Sequence, residues 1–176
     1  MTNIFVAGSA KDTEHENLIK KRLSASYTVT YICRQDFTES GNGYNLLFYD
    51  CEIPNINANG SILLMKENGA VPKKLPADIT AIINSDNENQ LRAIQKSGIR
   101  AVTCGFSATS TVSFSSETED TLTVSLNRRI TALSGKIIEP LEIPLKKEKL
   151  GRYSLLSFAA LRLLLDDFDS ELGKLM

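Results

Sequence analysis

The sequence predicts a three-layer, Rossmann-like α/β fold, built on a mostly parallel sheet with a β-rich extension. Strand-like and helix-like patterns alternate through residues 1–106, as expected of a parallel sheet with helices on its faces. Residues 107–148 are rich in Ser, Thr and β-branched residues and lack helical periodicity. An almost continuously apolar helix pattern follows them. We therefore expect one domain over residues 1–176, with a C-terminal helix and tail in residues 149–176.

The α/β core contains six predicted strands and two predicted helices. Asp12 or Thr13 can cap the first helix, which is expected to run to about Ser24. The second helix follows the pattern NENQLRAIQKSG, with Gly98 as its C-cap. Residues 34–43, RQDFTESGNG, are predicted to form a loop. The strands are predicted at residues 3–7, 27–33, 44–51, 61–65, 79–84 and 101–106.

The extension and the last helix complete the predicted fold. Gly135 and Lys136 are typical of a hairpin turn, which favours antiparallel strands in the extension. Only Arg162 interrupts the apolar pattern of residues 153–165, so we expect this helix to be mostly buried against the sheet. The strands of the extension are predicted at residues 111–115, 122–127, 130–133 and 137–144.

Composition excludes several classes of function. The 20 Lys and Arg residues nearly balance the 21 Asp and Glu residues, so the net charge of −1 gives no general attraction to nucleic acid or an anionic membrane. No run approaches the roughly 18 apolar residues of a membrane span. Cys33, Cys51 and Cys104 are odd in number and widely spaced, which favours ordinary thiols in a cytoplasmic protein. A protein partner or a homo-oligomer remains open.

The turn after the first strand is the first candidate site. Gly8, Ser9 and Lys11 lie where a strand enters a helix, and the N–H groups of such a turn can hold phosphate. A working P-loop follows the pattern G-x-x-x-x-G-K-[ST], and of its two glycines only Gly8 is present. Asp12 stands where a Mg²⁺-binding hydroxyl is needed, and its carboxylate would repel phosphate. The alternative is an ordinary turn between a strand and a helix.

A second candidate follows the predicted strand at residues 79–84. Asn84 and Asp86 come just after the strand's carboxyl end, where ligands bind in open α/β sheets. Ser85, Asp86 and Asn87 are also residue types that cap helices, so a structural role is the alternative.

A third candidate follows the predicted strand at residues 44–51. Asp50 and Glu52 could hold Mg²⁺ there, and the alternative is a solvated strand edge. His15, the only histidine, is predicted to lie on the polar side of the first helix without a partner. Ser and Cys nucleophiles therefore lack a base, which argues against covalent acyl chemistry.

Taken in chain order, five segments resemble the central, ATP-binding domain of the Mur ligases. The opening keeps Gly8, Lys11 and Thr13 of the family's G-T-x-G-K-T/S loop in a shortened form. Asp50 is nearest the position of the Glu that helps to bind Mg²⁺ in that family. The segments are residues 6–19, 46–52, 78–91, 101–107 and 151–161.

Two further family motifs are matched in part. Asn87 replaces the second Asp of the N-x-D-D motif, and Ser154 stands where an Asn helps to seat the adenine in G-R-H-N-x-x-N-x-x-A-A. The positions that match these motifs are Asn84, Asp86, Gly151, Arg152 and Ala160.

In this resemblance, the residues that differ from the family's motifs are those that would contact ATP. We expect a non-catalytic Mur-ligase-like domain that binds a partner protein or, weakly, a nucleotide-type ligand, with no cofactor beyond weakly bound ATP and Mg²⁺. The alternative is a nucleotide-binding enzyme related to ATP-dependent peptide ligases, and a flavodoxin-like or receiver-like module ranks lower. Asp50 is the expected metal ligand. The expected ligand contacts are Gly8, Ser9, Lys11, Asn84, Asp86 and Ser154.

Overall fold

A ten-stranded mixed sheet is the central element of the fold. It is seen in a computed structural model that describes residues 1–9, 11–33, 36–52, 55–146 and 150–168. The strands are β1 (Thr2–Ala7), β2 (Tyr27–Cys33), β3 (Asp36–Ser40), β4 (Tyr44–Cys51), β5 (Ile62–Met65), β6 (Thr80–Asn84), β7 (Arg100–Cys104), β8 (Val112–Glu117), β9 (Thr121–Leu126), β10 (Ile130–Thr131), β11 (Ile137–Ile138) and β12 (Leu141–Lys146). The helices are α1 (Glu14–Leu23), α2 (Glu88–Ser97) and α3 (Arg152–Leu164).

The sheet order is β12-β9-β8-β7-β6-β5-β1-β4-β2-β3, and β10 and β11 form a separate antiparallel pair. The strands from β2 through β8 in this order run parallel, whereas β3, β9 and β12 are antiparallel to their neighbours. The predicted α/β fold with a mostly parallel sheet is confirmed. The predicted extension continues the main sheet through β8, β9 and β12.

The chain leaves β1 towards β2 and leaves β5 towards β6, in opposite directions along the sheet. Since β1 and β5 are neighbours, a crevice is expected between their carboxyl ends. This switch point brings the turn that follows Ala7 beside the residues that follow Met65.

Helices cover both faces of the sheet. Side chains of α1 and α3 join one buried cluster with alternate residues of β1, β2, β4, β5 and β6, and Leu156 and Leu163 of α3 are fully buried there. On the opposite face, Ile94 of α2 joins a second cluster with β1, β5 and β6. The three-layer arrangement and the buried C-terminal helix are both confirmed. Among the described residues, no helix is long and apolar enough to span a membrane.

One part of the second face carries an apolar row of which only Phe5 packs against the cluster around α2. Strand register places Phe5, Tyr49, Ile32 and Phe37 side by side across β1, β4, β2 and β3. Phe5 and Tyr49 stack with ring centroids 5.4 Å apart. The cluster around α2 contains no residue of β2, β3 or β4. We call this row the open strip; its first three members are half-buried, and Phe37 is 63% exposed.

The prediction of a loop at residues 34–43 was wrong for its central part. Residues Asp36–Ser40 form β3, which pairs antiparallel with β2 at the edge of the sheet. All five of its side chains are exposed, so the strand lacks the alternation of buried and polar residues that would have identified it. The chain then turns beneath β2, where a Cβ on Gly41, whose φ is +85°, would collide with the carbonyl oxygen of Tyr27.

In the extension, the strand boundaries of the structure differ slightly from the predicted ones. The strand predicted at residues 130–133 shortens to β10, and the one predicted at 137–144 divides into β11 and β12. Gly135 was predicted to lie in a hairpin turn. It adopts a φ of +86° in the turn between the antiparallel strands β10 and β11, which confirms that prediction. Residues 147–149 and the predicted tail at 169–176 lie outside the described residues.

The two shorter helices begin and end differently. The side chain of Asn87 accepts hydrogen bonds from the backbone N–H groups of Asn89 and Gln90, and Gly98 closes α2 in the left-handed conformation. The predicted C-cap is therefore confirmed. At α1, Thr13 occupies the N-cap position without a side-chain cap bond, and Asp12 Oδ1 instead accepts from the N–H of Glu14 at 3.2 Å.

Candidate functional site

A buried lysine occupies the switch point. Lys66 directly follows β5, and its side chain, 1% exposed, runs beneath the turn formed by residues 8, 9 and 11–13, which we call the Gly8 turn. Its Nζ donates to the carbonyl oxygens of Ser9 at 3.0 Å and Asp12 at 2.6 Å. The same Nζ lies 2.7 Å from Oδ1 and 3.0 Å from Oδ2 of Asp50. The Gly8 turn is thus folded around a cation that the chain itself supplies.

This arrangement has the opposite polarity to a phosphate site. A phosphate-binding turn directs N–H groups at the ligand, whereas here two carbonyl oxygens converge on an ammonium group. Gly8 is needed for the same reason, because a Cβ there would lie 2.6 Å from Cβ of Lys66. Lys11, the predicted phosphate contact, is exposed at the surface.

Asp50 is a buried counter-ion. It is 1% exposed, so the alternative of a solvated edge is wrong for Asp50, whereas Glu52 is exposed. The hydroxyl of Tyr31 donates to Asp50 Oδ2 at 2.5 Å. Burial, together with the carboxylate of Asp50, raises the pKa of Tyr31 far above its ordinary value, so the phenol remains a hydrogen-bond donor.

A possible metal-ligand group surrounds the same carboxylate. Ligand atoms of Glu16, Cys33 and Asp50 all lie within 4.8 Å of one another. However, Lys66 already neutralises Asp50, and Lys20 Nζ lies 2.6 Å from Oε1 of Glu16. A divalent cation there would have to compete with two ammonium groups, which makes this arrangement better suited to ion pairing than to metal binding.

Asn84 and Asp86 hold neighbouring turns together. Asn84 Oδ1 accepts from the N–H of Asp86 at 2.9 Å, and Asp86 Oδ2 accepts from the N–H of Phe106 at 3.1 Å. The capping alternative is correct for Asn87, which caps α2. These side chains therefore fasten the end of β6 to the segment after β7.

Gln90 is a buried organiser that the sequence did not single out. Its Oε1 accepts from the N–H of Asn84 at 2.9 Å, and its Nε2 donates to the carbonyl oxygens of Lys66 at 2.9 Å and Gly69 at 3.0 Å. It fixes the backbone on which Lys66 stands. The available signal was a glutamine four positions before Ile94, on the buried side of α2.

Ser154 lies on the other side of the Gly8 turn, at the start of α3. Its hydroxyl donates to Glu14 Oε2 at 2.7 Å, and the N–H of Gly151 donates to the same oxygen at 3.2 Å. These bonds join the beginning of α3 to the beginning of α1. Ser154 is therefore already used in helix docking.

His15 is a buried residue of α1. It is 1% exposed and its Nε2 lies 2.8 Å from the hydroxyl of Ser157, so the prediction of a polar position without a partner was wrong. The reason is that α3 packs over α1 and buries this side of the helix. Burial lowers the pKa of His15 to about 4, so the imidazole is neutral near pH 7.

A cavity of about 570 Å³ lies beside the Gly8 turn. Two of the predicted ligand contacts, Gly8 and Ser9, line it. The others, Lys11, Asn84, Asp86 and Ser154, are not among its lining residues, and neither is Asp50. Its lining consists of Gly8, Ser9, Glu52, Asn68, Gly69, Ala70, Val71, Pro72 and Lys73.

Comparison with known proteins places the fold. The sequence matches no protein-family model and no curated protein. Two crystal structures of MurF from Acinetobacter baumannii match it, with TM-scores of 0.52 and 0.50, 10% identity and coverage of 100% and 99% of this chain. The UDP-N-acetylmuramate:L-alanyl-gamma-D-glutamyl-meso-diaminopimelate ligase (MPL) from Neisseria meningitides matches with a TM-score of 0.52, 10% identity and 99% coverage.

This chain spans only part of those proteins, 46% of each MurF chain and 65% of the MPL chain. At 10% identity the likeness is one of fold. The expected α/β fold therefore agrees with the fold of these Mur ligase structures.

Proposed function

We propose that this chain is a non-catalytic Mur-ligase-like domain that acts by binding a partner protein. The observation that carries the proposal is the position of Lys66, whose Nζ fills the Gly8 turn and is held there by Asp50. A nucleotide phosphate in that turn would have to displace a buried ion pair. Its charge would then face the carboxylates of Asp12 and Asp50 without the ammonium between them.

Catalysis would also lack its usual parts. Phosphoryl transfer depends on backbone N–H groups and a lysine around the phosphates, with a metal ion that neutralises developing charge. Here the lysine inside the turn donates to backbone carbonyls, and the carboxylate suited to Mg²⁺ is paired with that lysine. A weak nucleotide-type ligand would fit in the adjoining cavity, against Gly8 and Ser9.

The open strip is the surface that we assign to the partner. Parallel sheets normally have both faces covered, and the connection between parallel neighbours is usually a helix. In this chain β3 takes the place of that helix between β2 and β4, and the strip is left with half-buried and exposed apolar side chains. An apolar sheet face of this kind suits the apolar side of a partner's helix.

Nucleotide titration tests the first half of the proposal. Amide shifts of ¹⁵N-labelled protein would be followed with ATP or ADP, with and without Mg²⁺, alongside a phosphate-release assay. We expect no turnover. Any shifted amides should lie at residues 68–73 beside the cavity, with a Kd no tighter than millimolar, which corresponds to a binding free energy of roughly −4 kcal/mol. Turnover near about 1 per second, in the common range for enzymes, would contradict the proposal and support the ligase-related enzyme.

Site-specific photo-crosslinking in cells tests the second half. A photoreactive residue at Tyr49, in the open strip, should give a discrete adduct. The same residue at exposed Gln95 on α2 is the matched control and should not give that adduct. Identical adducts from both positions, or none from Tyr49, would show that the open strip is not the surface that binds the partner.

A further inference from the structure

Four oxygen atoms surround the ammonium group of Lys66. The carbonyl oxygens of Ser9 and Asp12 lie 3.0 Å and 2.6 Å from Nζ. The carboxylate oxygens of Asp50 lie 2.7 Å and 3.0 Å from the same atom. All four atoms are hydrogen-bond acceptors, and the carboxylate adds one negative charge. We call these four atoms the oxygen cage, and they form a site that suits a cation.

The oxygen cage is held by bonds that do not involve the ammonium group. The hydroxyl of Tyr31 donates to Oδ2 of Asp50, and the N–H of Asp12 donates to the carbonyl oxygen of Ser9 at 3.1 Å. The backbone at residue 66 is fixed separately, through hydrogen bonds of its own N–H and carbonyl oxygen. The four oxygens should therefore keep their positions when the lysine side chain is shortened.

The aliphatic stem of Lys66 fills a slot beside Gly8. A Cβ on Gly8 would lie 2.6 Å from Cβ, 3.1 Å from Cγ and 3.0 Å from Cδ of this lysine, so the stem runs along the glycine backbone. Lys66→Ala removes three methylene groups and the ammonium group, which together have the shape of n-propylammonium. Lys66→Met retains a stem and vacates the position of the ammonium group.

Distance and charge select the class of cation for the oxygen cage. Its contacts of 2.6–3.0 Å are longer than the about 2.0–2.1 Å of Mg²⁺ or the about 2.3–2.6 Å of Ca²⁺. Both divalent ions also take about six or more oxygen ligands. Carbonyl oxygens can replace the hydration shell of K⁺, as in potassium channels. With four oxygens and one carboxylate, the oxygen cage suits a primary ammonium ion or K⁺.

We propose that the Gly8 turn is a binding site for a monovalent cation, filled in this chain by the tethered ammonium group of Lys66. The turn therefore needs no external cation, and the site becomes available to one only when this side chain is shortened. The inference rests on the same placement of Lys66 as the proposed function, but it does not depend on what the open strip binds.

Chemical rescue of Lys66→Ala tests the proposal. Urea unfolding would be followed in about 100 mM n-propylammonium chloride and in the same concentration of NaCl. A Kd of about 10 mM is reasonable for a ligand of four non-hydrogen atoms. The unfolding equilibrium constant should then fall about tenfold. In the parent protein, whose oxygen cage is filled, it should change by less than about twofold. The neutral analogue 1-propanol is the ligand control.

Two further variants make the test independent of how well Lys66→Ala folds. Lys66→Met should be more stable in KCl than in NaCl of equal concentration, with an unfolding constant lower by roughly threefold. The double variant Lys66→Ala with Asp50→Asn keeps the vacated slot but removes the charge of the oxygen cage. It should lose most of the response to n-propylammonium.

Three results would overturn the proposal. The first is no response of Lys66→Ala to n-propylammonium together with no preference of Lys66→Met for K⁺. The second is an equally large response in the double variant, and the third is an equal effect of 1-propanol. None of these results would alter nucleotide titration or crosslinking at Tyr49 in the parent protein. Failure of the cation site is therefore distinguishable from failure of the proposed function.

Discussion

At the scale of single residues, an almost completely buried lysine lies within the Gly8 turn. Lys66 pairs with Asp50 at 2.7 Å, and both side chains are 1% exposed. Such a pair costs much desolvation, which excellent geometry and additional hydrogen bonds can offset. The carbonyl oxygens of Ser9 and Asp12 and the hydroxyl of Tyr31 supply those bonds. The pair therefore fixes one conformation of the Gly8 turn.

Breaking this pair should be strongly destabilising. Lys66→Met leaves the carboxylate of Asp50 buried without its counter-ion, and we expect the free energy of unfolding to fall by about 3 to 5 kcal/mol. The double variant Lys66→Met with Asp50→Leu removes both charges and should recover much of that loss. Urea unfolding midpoints measure both. Equal losses in the single and double variants would show that the charge pairing is not what holds the turn.

His15 should make stability depend on pH. Its pKa is about 4 in the folded protein against 6.5 when unperturbed, so the unfolded chain binds more protons between these values. The stabilising contribution is complete above about pH 6.5 and is lost as the pH falls towards 4, with a slope of up to about 1.4 kcal/mol per pH unit. His15→Gln retains a partner for Ser157 without titrating. The stability of the parent relative to this variant should therefore decline over that window, and a constant difference would contradict the assignment.

At the scale of elements, α3 should behave as part of the core. Leu156 and Leu163 are fully buried in the cluster that α1 and α3 form with the sheet, so replacing either by Ala should cost about 2 to 5 kcal/mol of unfolding free energy. Gln95→Ala, on the exposed side of α2, is the surface control and should change stability by less than about 0.5 kcal/mol. Urea unfolding of the two leucine variants and of the control would measure this difference in stability. Small losses at both leucines would make α3 peripheral.

The elements also show how far sequence reasoning reached. Strongly periodic or apolar segments, such as β6, α2 and α3, were predicted to within one or two residues because burial imposes their pattern. The strand β3 was missed because an edge strand exposed on both faces has no such pattern.

Only one contact of the candidate site follows from the predicted strand order. The Gly8 turn and Asp50 do meet, since parallel strands end at the same edge of the sheet. Lys66 was overlooked because nothing in its local sequence distinguishes a buried lysine from a surface one. Its role follows only from the pairing of β5 with β1, which brings together residues far apart in the chain.

At the scale of the whole molecule, nucleotide should not stabilise the fold. A ligand that binds the native state raises stability according to its concentration relative to its Kd. With millimolar Mg²⁺ and ATP and binding no tighter than millimolar, the gain is below about 1 kcal/mol. The melting temperature should accordingly change by no more than a few degrees. A larger rise, absent with the Lys66→Met protein, would indicate a nucleotide site that requires this lysine.

The central position of β1 has a consequence for synthesis. Ile4 lies between Phe48 and Ile62, so β1 leaves the ribosome before either of its neighbours and can pair only after both of those segments have followed. Until then its apolar residues and both of its edges are open to pairing with other nascent chains. Long-range parallel pairing of this kind folds slowly. The early nascent chain is therefore the stage at which this protein most needs protection by a chaperone.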